Sequence, residues 1–158
     1  MHIRPAQLSD VDLIAPLFSA YRCFYEQAAD LPLARQFIHD RLQRQESVIL
    51  LAQDEQGQAL GFCQLYPTFC SVDAAPIYAL YDLFVAPTAR RGGLAKALLR
   101  AAEQHAATHG VQRLDLTTAK TNHSAQQLYE SLGWVRDEVF FTYNKRTGAT
   151  DAAAPTCP

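Results

Sequence analysis

Residues 80–99 read LYDLFVAPTARRGGLAKALL: an apolar run, a short loop, then an amphipathic segment at helical spacing. The order of the three pieces decides the fold, because a strand enters a loop that ends on the first turn of a helix. That first turn carries backbone N–H groups with no acceptor, and the aligned peptide dipoles place about half a positive charge there. Gly92 and Gly93 let the chain turn sharply and let a ligand approach the backbone closely. Arg90 and Arg91 before the turn and Lys96 after it add positive charge. Such a loop suits an anion, above all a phosphate or pyrophosphate. A solvated glycine-rich connection with no ligand is the plain alternative on this stretch alone.

Two other anion loops do not fit. Gly93 is followed by Leu94, Ala95 and Lys96, not by the Gly-Lys-Ser/Thr ending of a P-loop. The adjacent glycines also miss the G-x-G-x-x-G spacing of a dinucleotide fold.

Outward from this stretch the pattern stays α/β. Downstream, the helix is expected to run to about His109 and stop at Gly110, with Leu94, Leu98, Ala101, Ala102 and His105 on one face. Residues 113–117 (RLDLT) then read as a strand, which makes a right-handed β-α-β crossover. Upstream, residues 47–52 (SVILLA) and 59–65 read as strands around a turn at 54–58. Residues 66–69 continue the second strand irregularly, 70–76 form a loop, and 77–85 complete a three-stranded meander.

At the N-terminus, residues 2–6 read as an edge strand that tolerates Pro5. Ser9, with Asp12 three residues on, signals a helix start, and Leu13, Leu17, Phe18, Tyr21, Phe24 and Tyr25 supply its apolar face. Pro16 in that pattern predicts a later start or a kink. Pro32 opens a second helix over 32–45, with Leu33, Phe37 and Leu42 as its buried side. Near the C-terminus, 122–132 read as a short helix closed by Gly133, and 134–135 with 139–144 as a last hairpin. Residues 147–158 (TGATDAAAPTCP) have no apolar periodicity, so a single domain over 1–146 is expected to end in a disordered tail.

Composition narrows the function. The 158 residues are 49% hydrophobic and 19% charged, as in a globular chain. Net charge is −2 and no Lys/Arg run exceeds two residues, which argues against nucleic-acid binding. Cys23, Cys63, Cys70 and Cys157 have no C-x-x-C spacing and fit a reducing compartment. No signal-peptide segment and no apolar run of ~18 residues is present, so the expected location is cytoplasmic, without a membrane partner. His105 and His109 lie four apart, but no H-E-x-x-H pattern or third ligand accompanies them, and no metal is expected.

Two motifs carry a resemblance. Arg90-x-x-Gly93-x-Ala95 matches the Q/R-x-x-G-x-G/A loop of the GNAT superfamily of N-acetyltransferases. Some thirty residues on, the stretch from Asn122 to Trp134 (NHSAQQLYESLGW) matches that family's N-x-x-A-x-x-L-Y-x-x-x-G-F/W pattern. The resemblance spans about residues 2–145 and implies a GNAT fold: a mixed, mostly antiparallel sheet of about six or seven strands flanked by about four helices. It implies acetyl-CoA as co-substrate, with its pyrophosphate on Arg90, Arg91, Gly92, Gly93, Leu94, Ala95 and Lys96. The pantetheine arm and thioester would lie along the backbone of Leu83, Phe84 and Val85. Asn122 resembles the family's CoA-contacting asparagine and is equally suited to capping the helix. Family members are often dimers through their C-terminal strands, which makes 139–144 the place to expect a homodimer contact.

Acetyl transfer to an amine poses definite chemical demands. An alkylamine with pKa near 10.4 is only about 0.1% free base at pH 7.4, a cost of about 4 kcal/mol. The thioester oxygen needs a fixed donor as it gains charge, and the departing thiolate needs a proton. Tyr129, by resemblance to the tyrosine of the L-Y motif, would supply that proton; packing beside Leu128 and Trp134 is its plain alternative.

The base is less defined. Residues 80–85 (LYDLFV) look like the L-E-D-F-F-V strand of polyamine acetyltransferases, in which the glutamate relays a proton, and here Tyr81 stands in its place. Asp82 either meets the substrate ammonium or pairs with an arginine. Tyr21, Tyr25, Tyr66 and Tyr81, with Phe24 and Phe69 nearby in sequence, are candidates to line an acceptor pocket, since aromatic faces favour a cation. The stretches YRCFYE and QLYPTF also resemble the branch that acetylates polyamines, histones and other small amines. The expected activity is therefore acetyl transfer from acetyl-CoA to a primary amine of a small molecule, such as a polyamine or an amino acid, within a ternary complex. Acylation of a protein lysine or N-terminus, or acyl-CoA sensing without turnover, are the alternatives.

Overall fold

The computed structural model describes residues 1–147, and the expected tail from residue 148 on lies outside them. The chain divides into two compact units, Met1–Thr117 and the residues from Thr118 on. The first unit is built on a five-stranded sheet whose strands lie in chain order. Strands β1 (His2–Pro5), β2 (Val48–Gln53), β3 (Ala59–Cys70) and β4 (Ala75–Val85) pair antiparallel. Strand β5 (Arg113–Asp115) joins β4 in parallel after the crossover helix. The hairpin between β3 and β4 is longer than the sequence pattern suggests, because residues 66–70 stay in register with 75–79 instead of looping away.

Both faces of the sheet are covered. Helices α1 (Val11–Phe24) and α2 (Leu31–Gln43) pack on one side, where Ile14, Phe18, Ala34 and Ile38 meet Ile49, Leu51, Phe62 and Phe84. Helix α3 (Leu94–Thr108) covers the other, burying Leu94, Leu98, Leu99, Ala102 and Ala106 against β2, β3 and β4. This is why β2 is buried along nearly its whole length without alternation. On α2, Leu33 points to solvent, and Ala34 and Ile38 take the buried side, with Phe37 and Leu42 only partly covered.

The start of α1 also differs from the sequence signal. Ser9 lies in a short 3-10 turn and caps nothing. The Asp10 carboxylate instead accepts the Gln7 N–H at 2.7 Å and is gripped by Arg4 at 2.7 and 2.8 Å. That pairing holds the Asp10 carboxyl below its ordinary value. The helix then runs unbroken through Pro16.

Gly61 marks a place where two strands and α3 converge. A Cβ there would lie 2.6 Å from the Phe84 carbonyl oxygen, with the Leu94 side chain at 3.5 Å. Gly61→Ala is therefore expected to destabilise the fold by about 1–3 kcal/mol through overpacking, read as a lower urea midpoint at unchanged slope.

The second unit contains α4 (His123–Ser131), closed by a turn at Gly133 with φ +87°. The hairpin expected over 134–135 and 139–144 does not form in this structure. Asp137 instead accepts the Val139 and Phe140 N–H groups at 2.7 and 3.0 Å, a local turn that competes with a strand ladder. The sheet accordingly has five strands where six or seven were expected.

Candidate active site

Strand β4 is the spine of the site. Opposite Gln64 on β3 stands Asp82, and opposite the next residue, Leu65, stands Leu80, so Tyr81 is an extra residue in β4. This is a β-bulge, which locally re-aims the side chains around it. Cross-strand partners share a face and neighbours along a strand do not. Asp82 therefore faces the α1/α2 side with Gln64, Phe62 and Phe84, and Leu80 faces α3.

Asp82 is only 6% exposed. Its Oδ2 accepts a hydrogen bond from Gln64 Nε2 at 2.5 Å, and the Tyr21 hydroxyl is a further hydrogen-bond partner. Burial outweighs these donors and raises the carboxyl above its ordinary value. No arginine or lysine forms an ion pair with it among the described residues, so the arginine-pairing alternative finds no partner.

The aromatic candidates gather around this carboxylate. The Tyr21 hydroxyl, which also reaches Asp82, lies 3.2 Å from the Tyr81 carbonyl oxygen, so its one proton is shared between the two acceptors and α1 is fastened to the bulge. Tyr25 meets Tyr21 edge to face at 5.1 Å, and Tyr66 meets Tyr81 in the same way at 5.6 Å. Burial and the nearby Asp82 push the Tyr66 hydroxyl well above its ordinary value, which keeps it protonated. The Tyr81 ring is 68% exposed, the outer rim of the cluster. Phe24 and Phe69, by contrast, are largely exposed, and Phe69 lies near the far end of the β3–β4 hairpin.

The anion loop follows β4. Strand β5 pairs with β4 only at residues 77–79, so from residue 80 to 85 that edge of β4 has no neighbouring strand among the described residues. The backbone groups of residues 83–85 that point away from β3 meet no strand there, and the Val85 carbonyl is taken by Arg90. Arg90 folds back on the strand end: its Nε donates to the Val85 carbonyl at 3.1 Å and its guanidinium lies 5.7 Å from the Phe84 ring centre. Arg91 and Gly93 both adopt left-handed backbone, φ +65° and +78°, which turns the chain into α3. Arg91, Gly92, Gly93 and Lys96 are exposed around the first turn of that helix. Leu94 is buried, so its side chain belongs to the core and only its backbone faces the loop. Exposed cations around a helix N-terminus fit a pyrophosphate.

In the second unit, Asn122 Oδ1 accepts the Ala125 N–H at 3.2 Å and so caps α4. The Tyr129 ring lies 6.0 Å from that of Trp134, and the Trp134 backbone N–H donates to the Tyr129 carbonyl. Two participants escaped the sequence reading, Gln64 and Ser47. Ser47 Oγ donates to Gln64 Oε1 at 2.8 Å, and both residues are buried. Their signal was a glutamine within the apolar run of β3. Among the described residues no cluster of His, Cys, Asp or Glu is arranged to hold a metal, and no helix is long and apolar enough to cross a membrane.

These features define an acetyltransferase architecture, and the family comparison agrees. Residues 14–134 match the acetyltransferase (GNAT) family model, and the chain belongs to that family. It is an N-acetyltransferase. The chain is similar to an uncharacterised N-acetyltransferase, YhfO, of Bacillus subtilis, with 49% identity over 90% of this chain and 95% of the relative. It shares 30% identity with an aminoglycoside N(6′)-acetyltransferase type 1 of Salmonella typhimurium, over 57% of this chain and 64% of that one. A crystal structure of a probable acetyltransferase superposes with a TM-score of 0.88 at 41% identity, covering 95% of this chain and 100% of that one.

Proposed function

We propose that this enzyme transfers the acetyl group of acetyl-CoA to a primary amine of a small molecule by direct attack in a ternary complex. The observation that carries the reading is Asp82: a buried carboxylate with no cationic partner among the described residues, reached by the Tyr21 hydroxyl and neighboured by Tyr66, with Tyr25 and Tyr81 packed on those two rings. Such a site favours an ammonium group by charge and by ring quadrupoles. A relative that bears an aminoglycoside acetyltransferase name supports a small-molecule acceptor.

Acetyl-CoA, when bound, supplies a thioester whose carbonyl carbon is attacked by the amine. Arg91, Lys96 and the N–H groups opening α3 hold the phosphates, and the free edge of β4 at residues 83–85 receives the arm and the thioester oxygen. Asp82 takes the ammonium proton, a role helped by its raised pKa. The Tyr129 hydroxyl donates a proton to the departing thiolate.

Thiol release measured against polyamines, amino acids, aminoglycosides and a histone-tail peptide tests this function. Turnover with one of the small-amine classes supports it, whereas turnover with the peptide alone makes the enzyme a protein acetyltransferase. Binding of acetyl-CoA with no turnover on any of them favours a sensor. Arg91→Ala combined with Lys96→Ala is expected to raise the KM for acetyl-CoA about tenfold at low salt, with little change in kcat and a smaller effect at high salt.

A further inference from the structure

The Asp82 carboxylate is not held by its own strand alone. A line of buried polar groups crosses the sheet face from the start of β2 to β4: Ser47 Oγ donates to Gln64 Oε1 at 2.8 Å, and Gln64 Nε2 donates to Asp82 Oδ2 at 2.5 Å. Gln64 is fully buried, and Ser47 and Asp82 are nearly so. A side-chain amide offers an acceptor at one end and donors at the other. With its oxygen occupied by the serine hydroxyl, the amide must present N–H to the carboxylate.

We propose that Ser47 and Gln64 are positioning residues of the acceptor site: Ser47 fixes the orientation of the Gln64 amide, and Gln64, together with the Tyr21 hydroxyl, holds the Asp82 carboxylate in the orientation that meets the substrate amine. The inference rests on the reading of Asp82 as the amine-facing base. Burial of a polar residue in a strand core is costly unless its hydrogen bonds are satisfied, and here the line satisfies both ends of the amide. The donor also tunes the base. A hydrogen bond to the charged form favours ionisation, so Gln64 keeps the carboxylate from rising further in its buried place.

Other ionisable groups around Asp82 are Tyr21 from α1, Cys63 and Tyr66 from β3, and Tyr81 from its own strand, with Arg41 and Glu46 beyond Tyr66. Cys63 is pushed up to about 12 and Tyr66 is also raised, so neither titrates with the carboxylate.

The test is the pH profile of kcat/KM for the amine, together with an NMR titration of the Asp82 carboxyl carbon in the free enzyme. Gln64→Leu removes the donor, so the Asp82 pKa rises. The acid limb is expected to move about one unit toward higher pH, a loss of about tenfold on the acid side that shrinks above the limb. Ser47→Ala, a smaller change in volume, should shift the limb in the same direction by less, and Ser47→Thr, which keeps a hydroxyl, should restore it. A uniform loss at every pH, with the carboxyl titration unmoved in both Gln64→Leu and Ser47→Ala, overturns the positioning role. If Asp82→Asn leaves the limb in place, the reading of Asp82 itself fails. Loss of the limb in Asp82→Asn with no movement in the other two variants removes only the Ser47–Gln64 line.

Discussion

Asp82→Asn is expected to lower kcat/KM for the amine by about a hundredfold to ten-thousandfold, the range typical of losing a positioned base. Asparagine has nearly the same shape, and its carbonyl oxygen still accepts the Gln64 N–H, so the geometry around Tyr21, Tyr66 and Tyr81 is retained. The acid limb of the profile should vanish with the carboxyl. Stability should move the other way. The folded carboxyl has a raised pKa, so between the unfolded and folded values the native state holds more protons and stability falls as pH rises. In its charged form the buried Asp82 therefore works against folding, and the neutral amide is expected to melt no lower than the native protein in a thermal scan run above the folded pKa. A variant that is less active yet equally or more stable would show that the charge is kept for chemistry.

Tyr129→Phe is the second large effect. With reference values near 10 for tyrosine and 8.5 for a thiol, proton donation to the leaving thiolate is uphill by only about 2 kcal/mol, within reach of a general acid. Removing the hydroxyl is expected to lower kcat by about a hundredfold, with KM for acetyl-CoA nearly unchanged. The phenylalanine ring keeps the contact with Trp134. Acetyl donors with a more acidic thiol need less help in leaving, and the deficit should narrow with them. A variant that keeps full kcat on acetyl-CoA removes the acid assignment.

Much of this architecture is written locally. The strand–loop–helix at 80–99, the meander before it and the crossover to β5 follow from apolar period, turn residues and glycine placement, and all three form, with a longer β3–β4 hairpin and a shorter β5 than the pattern indicates. The helix closed by Gly133 is equally local. The misreadings have one tertiary and one local cause. Leu33 looks buried by hydrophobicity, yet the packing of α2 against α1 turns Ala34 and Ile38 toward the core and leaves Leu33 outside. Residues 139–144 have strand-like composition, and the Asp137 carboxylate claims the backbone groups that a ladder would use.

The site was legible in part. Asp82 and the four tyrosines come from separate stretches, and their gathering depends on the register of β3 against β4 and on where α1 crosses them. Gln64 and Ser47 carried little signal, because one polar residue in an apolar run reads as a minor interruption until its cross-strand neighbours are known. The extra residue at Tyr81 was invisible, since nothing in LYDLFV marks which position the partner strand will skip.

That extra residue has a consequence for how the enzyme can change over time. The bulge lets one short stretch serve two masters: Leu80 belongs to the α3 core, Asp82 to the proposed chemistry, and Tyr81 between them carries an exposed ring at the rim of the acceptor site. A lineage can therefore vary position 81, altering the rim that an acceptor passes, while the scaffold and the carboxylate stay as they are. Choice of substrate becomes a separable trait, open to drift and selection at a position where a mistake costs the fold little.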